Sequence, residues 1–171
     1  MITFKQLYDF TKKFKSWRGN YPDVTGKLVD IIPNVSAGII TFRFRVKSVT
    51  HINEGYNTWL QFYNIKFSDH PLSSTSIKIL DKETKKPLYF ERISLTDASK
   101  QNYVRVRCSC KDFRFRFAWE DKAVQALYGG RPARYTRKPG STRPEVNPQH
   151  IPGMCKHIFQ CAKAIEHYFA R

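Results

Sequence analysis

The sequence predicts one α+β domain: an antiparallel sheet, an amphipathic helix before it, and a C-terminal hairpin-plus-helix lobe after it. Three observations carry this. An apolar stripe at helical spacing opens the chain; several segments then alternate apolar and polar residues with period two; and two short Cys-containing tripeptides, Cys108-Ser109-Cys110 and Cys155-Lys156-His157, fall in the last third. A run of strands with helices segregated before and after it makes an α+β layer structure. The expected organisation is an N-terminal helix over 1–20, a β region over 21–102 and a C-terminal lobe over 103–171 with a basic arm at 130–152, all within one compact unit.

Thr3 followed by Gln6 has the form of a capping box. Phe4, Leu7, Phe10, Phe14 and Trp17 recur at helical spacing until Gly19 and Pro22 end the pattern. From Gly38 the period changes. Ile40, Phe42, Phe44 and Val46 alternate with Thr41, Arg43, Arg45 and Lys47, a strand buried on one face and charged on the other. Asn53-Glu54-Gly55 supplies turn chemistry, and 57–67 is expected to return as the second strand of a hairpin. Further strands are expected at Ser76–Leu80 and Leu88–Ile93, around the polar turn at 81–87. Val104, Val106 and Cys108 alternate with Arg105 and Arg107 in the next one.

Beyond Cys110, Phe113, Phe115, Phe117 and Trp119 alternate with Arg114 and Arg116, which predicts the returning strand of a hairpin with the Cys-x-Cys pair at its bend. A short helix over Glu120–Leu127 should end at Gly129-Gly130. From Arg131 to Pro152 the chain carries five prolines and reads as a surface loop or arm. A final helix from about Gly153 to Phe169 aligns Ile158, Ala162, Ile165 and Phe169 on one stripe.

The two tripeptides offer three thiolates and one imidazole, the donor set of a closed tetrahedral zinc site. The candidate ligands are Cys108, Cys110, Cys155 and His157. Forty-four residues separate Cys110 from Cys155, so a metal would close a long loop and couple its binding to folding. Cys161, four residues after His157 on the same helix face, and His150, five before Cys155, are reserve ligands; packing against the sheet is the commoner fate for Cys161. Two other readings remain open: reduced cysteines acting as small core hydrophobes, and disulfides such as one from Cys155 to the first pair.

The 171 residues carry a formal charge of +16, and 15% of them are aromatic. The aromatic content opposes disorder. No apolar run is long enough to cross a membrane, and the first residues lack the apolar core of a signal peptide, so the expectation is a protein without export signal or membrane segment. The charge favours polyanions or an acidic protein neighbour. Within the arm, Arg131, Arg134, Tyr135, Arg137, Lys138 and Arg143 form a candidate polyanion- or partner-binding segment, with Arg114 and Arg116 extending a basic sheet face. Catalytic motifs are absent: there is no phosphate-binding Gly loop ending in Lys-Ser/Thr, no Gly-x-Ser-x-Gly and no His-Glu-x-x-His. Neither an enzyme nor a small-molecule binder is expected.

Cys108-x-Cys110 followed by Cys155-x-His157 resembles the SWIM zinc finger, whose pattern is Cys-x-Cys, a variable spacer and Cys-x-His; the spacer here is longer than is usual for that family. The resemblance implies one structural zinc on those four residues. Residues 40 to 165, through Phe42-Arg43-Phe44-Arg45-Val46-Lys47-Ser48, Cys108-Ser109-Cys110-Lys111-Asp112-Phe113 and Asn147 to His157, also look like tailed-phage virion structural proteins. That resemblance implies a virion component of a tail, baseplate or neck, assembled in the host cytoplasm. It would contact neighbouring virion proteins through its basic face and arm, with Phe10, Phe14 and Trp17 as apolar anchors. The alternative is a nucleic-acid-binding SWIM-type protein.

Overall fold

Thr3 and Gln6 cap the first helix reciprocally: the Gln6 amide donates to Thr3 Oγ1 at 3.2 Å and the Thr3 amide to Gln6 Oε1 at 2.8 Å. In the computed structural model, which describes residues 1–14, 26–48, 55–94, 102–132, 138–142 and 145–168, this helix is α1, Phe4–Lys12. Its buried face is Phe4, Leu7 and Thr11, with Tyr8 stacked on Phe159 at 5.7 Å. The expected stripe is therefore rotated: Phe10 is only half-buried, and Trp17 lies outside the described residues.

Among the described residues seven strands follow: β1 Gly26–Asn34, β2 Ile39–Lys47, β3 Gly55–Phe62, β4 Phe67–Ser68, β5 Ser76–Leu80, β6 Pro87–Glu91 and β7 Val104–Cys108. A four-stranded antiparallel sheet runs β1-β2-β3-β7, and a three-stranded one runs β4-β6-β5. The fold class is α+β with antiparallel sheets, as the sequence predicts. β1 was not anticipated; its apolar residues come as neighbouring pairs, Leu28-Val29 and Ile31-Ile32, and a bulge between Leu28 and Asp30 breaks the alternation. The strand expected over 57–67 is split, with Asn64 at a positive φ of 59° between β3 and β4. The turn at 53–55 lies almost wholly outside the described residues.

Period-two alternation puts Ile40, Phe42, Phe44 and Val46 of β2, Leu60 and Phe62 of β3, and Val104 and Val106 of β7 on the inner face, all 3% exposed or less. Phe62 meets Phe4 edge-on at 5.0 Å, which seats α1 against this face. Burying each such side chain is worth about 1.5–3 kcal/mol. The last helix, α4 Lys156–Tyr168, lays Ile158, Ala162 and Ile165 into the same core; Phe169 is outside the described residues.

The segment after β7 departs from expectation. It forms two short helices, α2 Lys111–Arg116 and α3 Ala118–Ala123, where a returning strand and a helix over 120–127 were predicted. The buried residues Phe113, Phe117, Ala118 and Asp121 recur with helical spacing, while Phe115 is 38% exposed, so the Phe/Arg alternation is coincidental. The free edge of β7 is instead met by 126–128, through Val106 N to Ala126 O and Tyr128 N to Val106 O. The Cys-x-Cys pair thus sits at a strand-to-helix junction, not a hairpin bend. No helix among the described residues is long and apolar enough to cross a membrane.

Candidate metal centre

β7 delivers Cys108 to the inner face after Val104 and Val106, directly opposite Thr58 of β3. The Thr58 hydroxyl donates to Cys108 Sγ at 3.6 Å, and the Cys110 amide donates to the same sulfur at 3.5 Å. Cys110 is the N-cap of α2, its Sγ accepting from the Phe113 amide at 3.3 Å. Donors aimed at sulfur favour the thiolate form that a metal requires.

The second pair arrives on an extended segment pinned from two sides. Asp121 Oδ1 accepts from the Gly153 amide at 2.8 Å, and Thr11 Oγ1 accepts from the Met154 amide at 2.9 Å while donating to Leu7 O at 2.8 Å. Gly153 is required by close approach: a Cβ there would lie 2.9 Å from the Phe117 ring and 3.1 Å from Thr11 Oγ1. Cys155 follows, and α4 starts at Lys156, which turns His157 back toward the sheet. Its ring packs against Tyr56 at 4.7 Å.

His157 Nδ1 stands 3.8 Å from Cys108 Sγ and 4.0 Å from Cys155 Sγ. The ligand atoms of Cys108, Cys110, Cys155 and His157 all lie within 4.8 Å of one another, and the four residues are 1–3% exposed. The four could hold one metal ion. Hydrogen bonds from the Cys110 and Cys155 thiols push the Cys108 thiol down to about 4, whereas burial, reinforced by Cys108 and Cys110, pushes Cys155 far above the ordinary thiol range. With only protein around them, Cys108 and Cys155 are pushed in opposite directions; a bound cation favours the thiolate at every sulfur it touches.

Neither reserve ligand joins the cluster. Cys161 is buried beneath Gly26, whose Cβ position lies 3.3 Å from its sulfur, and burial raises its thiol. His150 is directed at Glu120, Nδ1 to Oε1 2.9 Å, on the surface. All four cysteines are free, with no disulfide between them.

The basic residues are dispersed. Arg114 and Arg116 stand on α2 rather than on a sheet strand; Arg116 lies over the Phe14 and Phe117 rings at 5.3 and 5.9 Å, and its Nε approaches Asp112 Oδ1 at 3.3 Å. Arg131 covers Trp119 at 5.0 Å, and Lys138 is exposed. Arg134, Tyr135, Arg137 and Arg143 lie outside the described residues. The sheet's outer face carries Arg43 and Arg45 of β2 and Arg105 and Arg107 of β7, with Trp59 of β3 between Arg43 and Arg107 in register. Thr58, Thr11, Asp121 and Gly153, which position the ligands, have no signal in the sequence, because each acts through a partner distant along the chain. Compared with family models, with curated proteins and with solved structures, the chain gives no match.

Proposed function

We propose that this is a non-enzymatic, zinc-stapled structural protein whose centre is of the SWIM type, working by contact with other macromolecules. The observation that carries the reading is the convergence of three buried sulfurs and one imidazole nitrogen, from the end of β7, the N-cap of α2, the residue before α4 and α4 itself, within 4.8 Å. Tetrahedral zinc with bonds of about 2.0–2.3 Å spaces its donors about 3.3–3.8 Å apart. The two sulfur-to-nitrogen distances of 3.8 and 4.0 Å are at or just beyond that spacing, and every donor pair is within 4.8 Å, so closing on an ion takes a contraction of at most about 1 Å. Soft thiolates with imidazole favour zinc over hard cations. Three Cys and one His fill the tetrahedron and leave no position for a reacting water, which supports a staple rather than a catalyst.

Its setting, on the resemblance of residues 40 to 165, is a phage particle, where the protein contacts acidic neighbours in a tail, baseplate or neck. Mass spectrometry of purified particles tests this: the chain present at a fixed copy number per particle supports it, and its absence from particles while it is abundant in infected cells overturns it. One observation favours a second reading, nucleic-acid binding. Arginines of β2 and β7 come to one sheet face around an aromatic ring, the pairing of charge and stacking surface that nucleic acids use.

A further inference from the structure

Beside the metal centre, between the outer sheet face and α2, lies a cleft of about 400 Å³. Trp59 and Phe113 supply its apolar walls, and Arg107, Arg114 and Arg131 its charges; among the described residues no carboxylate lines it. Trp59 is braced by Tyr128, stacked at 6.2 Å and 20° between planes. Arg107 is fixed in turn, its Nε donating to Tyr128 O at 2.5 Å and its guanidinium also to Gly130 O. Arg43 follows Trp59 across the sheet, and Arg105 lies over the Tyr63 ring at 5.1 Å further along. Asp30, opposite Arg43 at the β1 edge, is the acid nearest this row in register, and Lys82 pairs with it.

We propose that this cleft and the sheet face leading into it bind a single strand of nucleic acid, one base stacking on Trp59 with its phosphates held by Arg114, Arg131 and Arg43. The inference rests on the second of the two readings above. Three features select this occupant. Charge complementarity demands a polyanion. A braced indole lining a pocket accepts a flat ring stacked face to face on it, and a base-paired duplex has no unstacked base face to present. The volume lies within the roughly 300–1,000 Å³ of ligand clefts, enough for one nucleotide unit. Acidic protein segments match the charge but carry no ring at every phosphate-like spacing. Cys108 and Ser109 line the same cleft and Cys110 caps α2, so the metal centre sets the distance between Trp59 and Arg114.

The test uses the full metal-loaded chain and three probes: a fluorescein-labelled 20-mer of deoxythymidine, a 20-base-pair duplex, and poly-glutamate as competitor, each across a salt series. The single strand is expected to bind more tightly than the duplex and to resist poly-glutamate. With about three phosphates neutralised, the slope of log K against log salt should be about −2. Trp59→Ala should weaken single-strand binding about five- to 150-fold, the range for loss of one stacked base, while Trp59→Phe retains most of it. The double variant Arg114→Ala/Arg131→Ala, whose side chains lie at the cleft rim, should weaken binding and flatten the slope without loss of metal. Binding to no nucleic acid overturns the underlying reading together with the inference. Equal binding of duplex and single strand, or unchanged binding by Trp59→Ala, overturns the inference alone. Displacement by poly-glutamate at equal charge assigns the face to an acidic protein instead.

Discussion

Replacing Cys155 with Ser removes one sulfur from the buried cluster while leaving its backbone setting intact. Structural zinc sites contribute about 10–16 kcal/mol of apparent binding free energy at neutral pH, so one ligand of four carries about 2.5–4 kcal/mol. For a chain of this size, 1 kcal/mol moves the melting temperature by about 2–4 °C, which gives a fall of about 5–15 °C. Cys161→Ser is the matched control: its sulfur is equally buried, lies one turn beyond His157 on α4, and is not among the clustered ligand atoms. The assay is thermal unfolding by circular dichroism with and without chelator, paired with colourimetric zinc release. Cys155→Ser should lose zinc and melt early, with no further effect of chelator. Cys161→Ser should keep one zinc and retain its response to chelator. Equal melting temperatures and equal zinc contents in the two variants would refute the assignment of ligands.

The pins on the ligand-bearing segment give further tests. Complete burial holds the Asp121 carboxyl well above its ordinary value of 3.8. The folded protein therefore binds that proton more tightly than the unfolded chain; the penalty is full above the folded pKa, shrinks as pH falls through it, and is gone below 3.8. Asp121→Asn, which keeps the acceptor for Gly153 without the charge, should be more stable than the parent at neutral pH, with the gap closing in acid when both are followed by urea unfolding. Asp121→Ala should instead lose about 1–3 kcal/mol through the unpaired Gly153 amide. Thr11→Val should cost a similar amount by stranding the Met154 amide, and Thr11→Ser should restore most of it, as read by the urea midpoint. Gly153→Ala forces a Cβ against the Phe117 ring and should cost about 1–3 kcal/mol and weaken zinc retention in a chelator competition.

The donor set of the site was legible because Cys-x-Cys and Cys-x-His are written in adjacent residues, and neither depends on the path between them. β2, β5 and β7 were legible for the same reason: an apolar residue at every second position needs no knowledge of the partner strand. The segment 113–119 misled because Phe-Arg-Phe-Arg-Phe fits period two along the chain, yet β7 already has β3 on one edge and 126–128 on the other. With no edge left to pair, the segment coils, capped by Cys110 and buried through Phe113, Phe117 and Asp121. β1 was hidden by its bulge. Asn147 falls in the segment that reads as an irregular arm, but its amide donates to Arg116 O and Ile151 O and its carbonyl accepts from the Ile151 amide, anchoring the stretch before the second ligand pair to α2. Tertiary partners of this kind leave no local trace.

The proposed function stands on a single structural zinc held by Cys108, Cys110, Cys155 and His157. It is tested most directly by elemental analysis of the purified protein, read with a thiol count in denaturant without reductant. One zinc per chain, with all four cysteines titrating as thiols once the metal is chelated, is the predicted result. Protein that carries no metal and yields fewer than four thiols would contradict it and assign the clustered cysteines to disulfides.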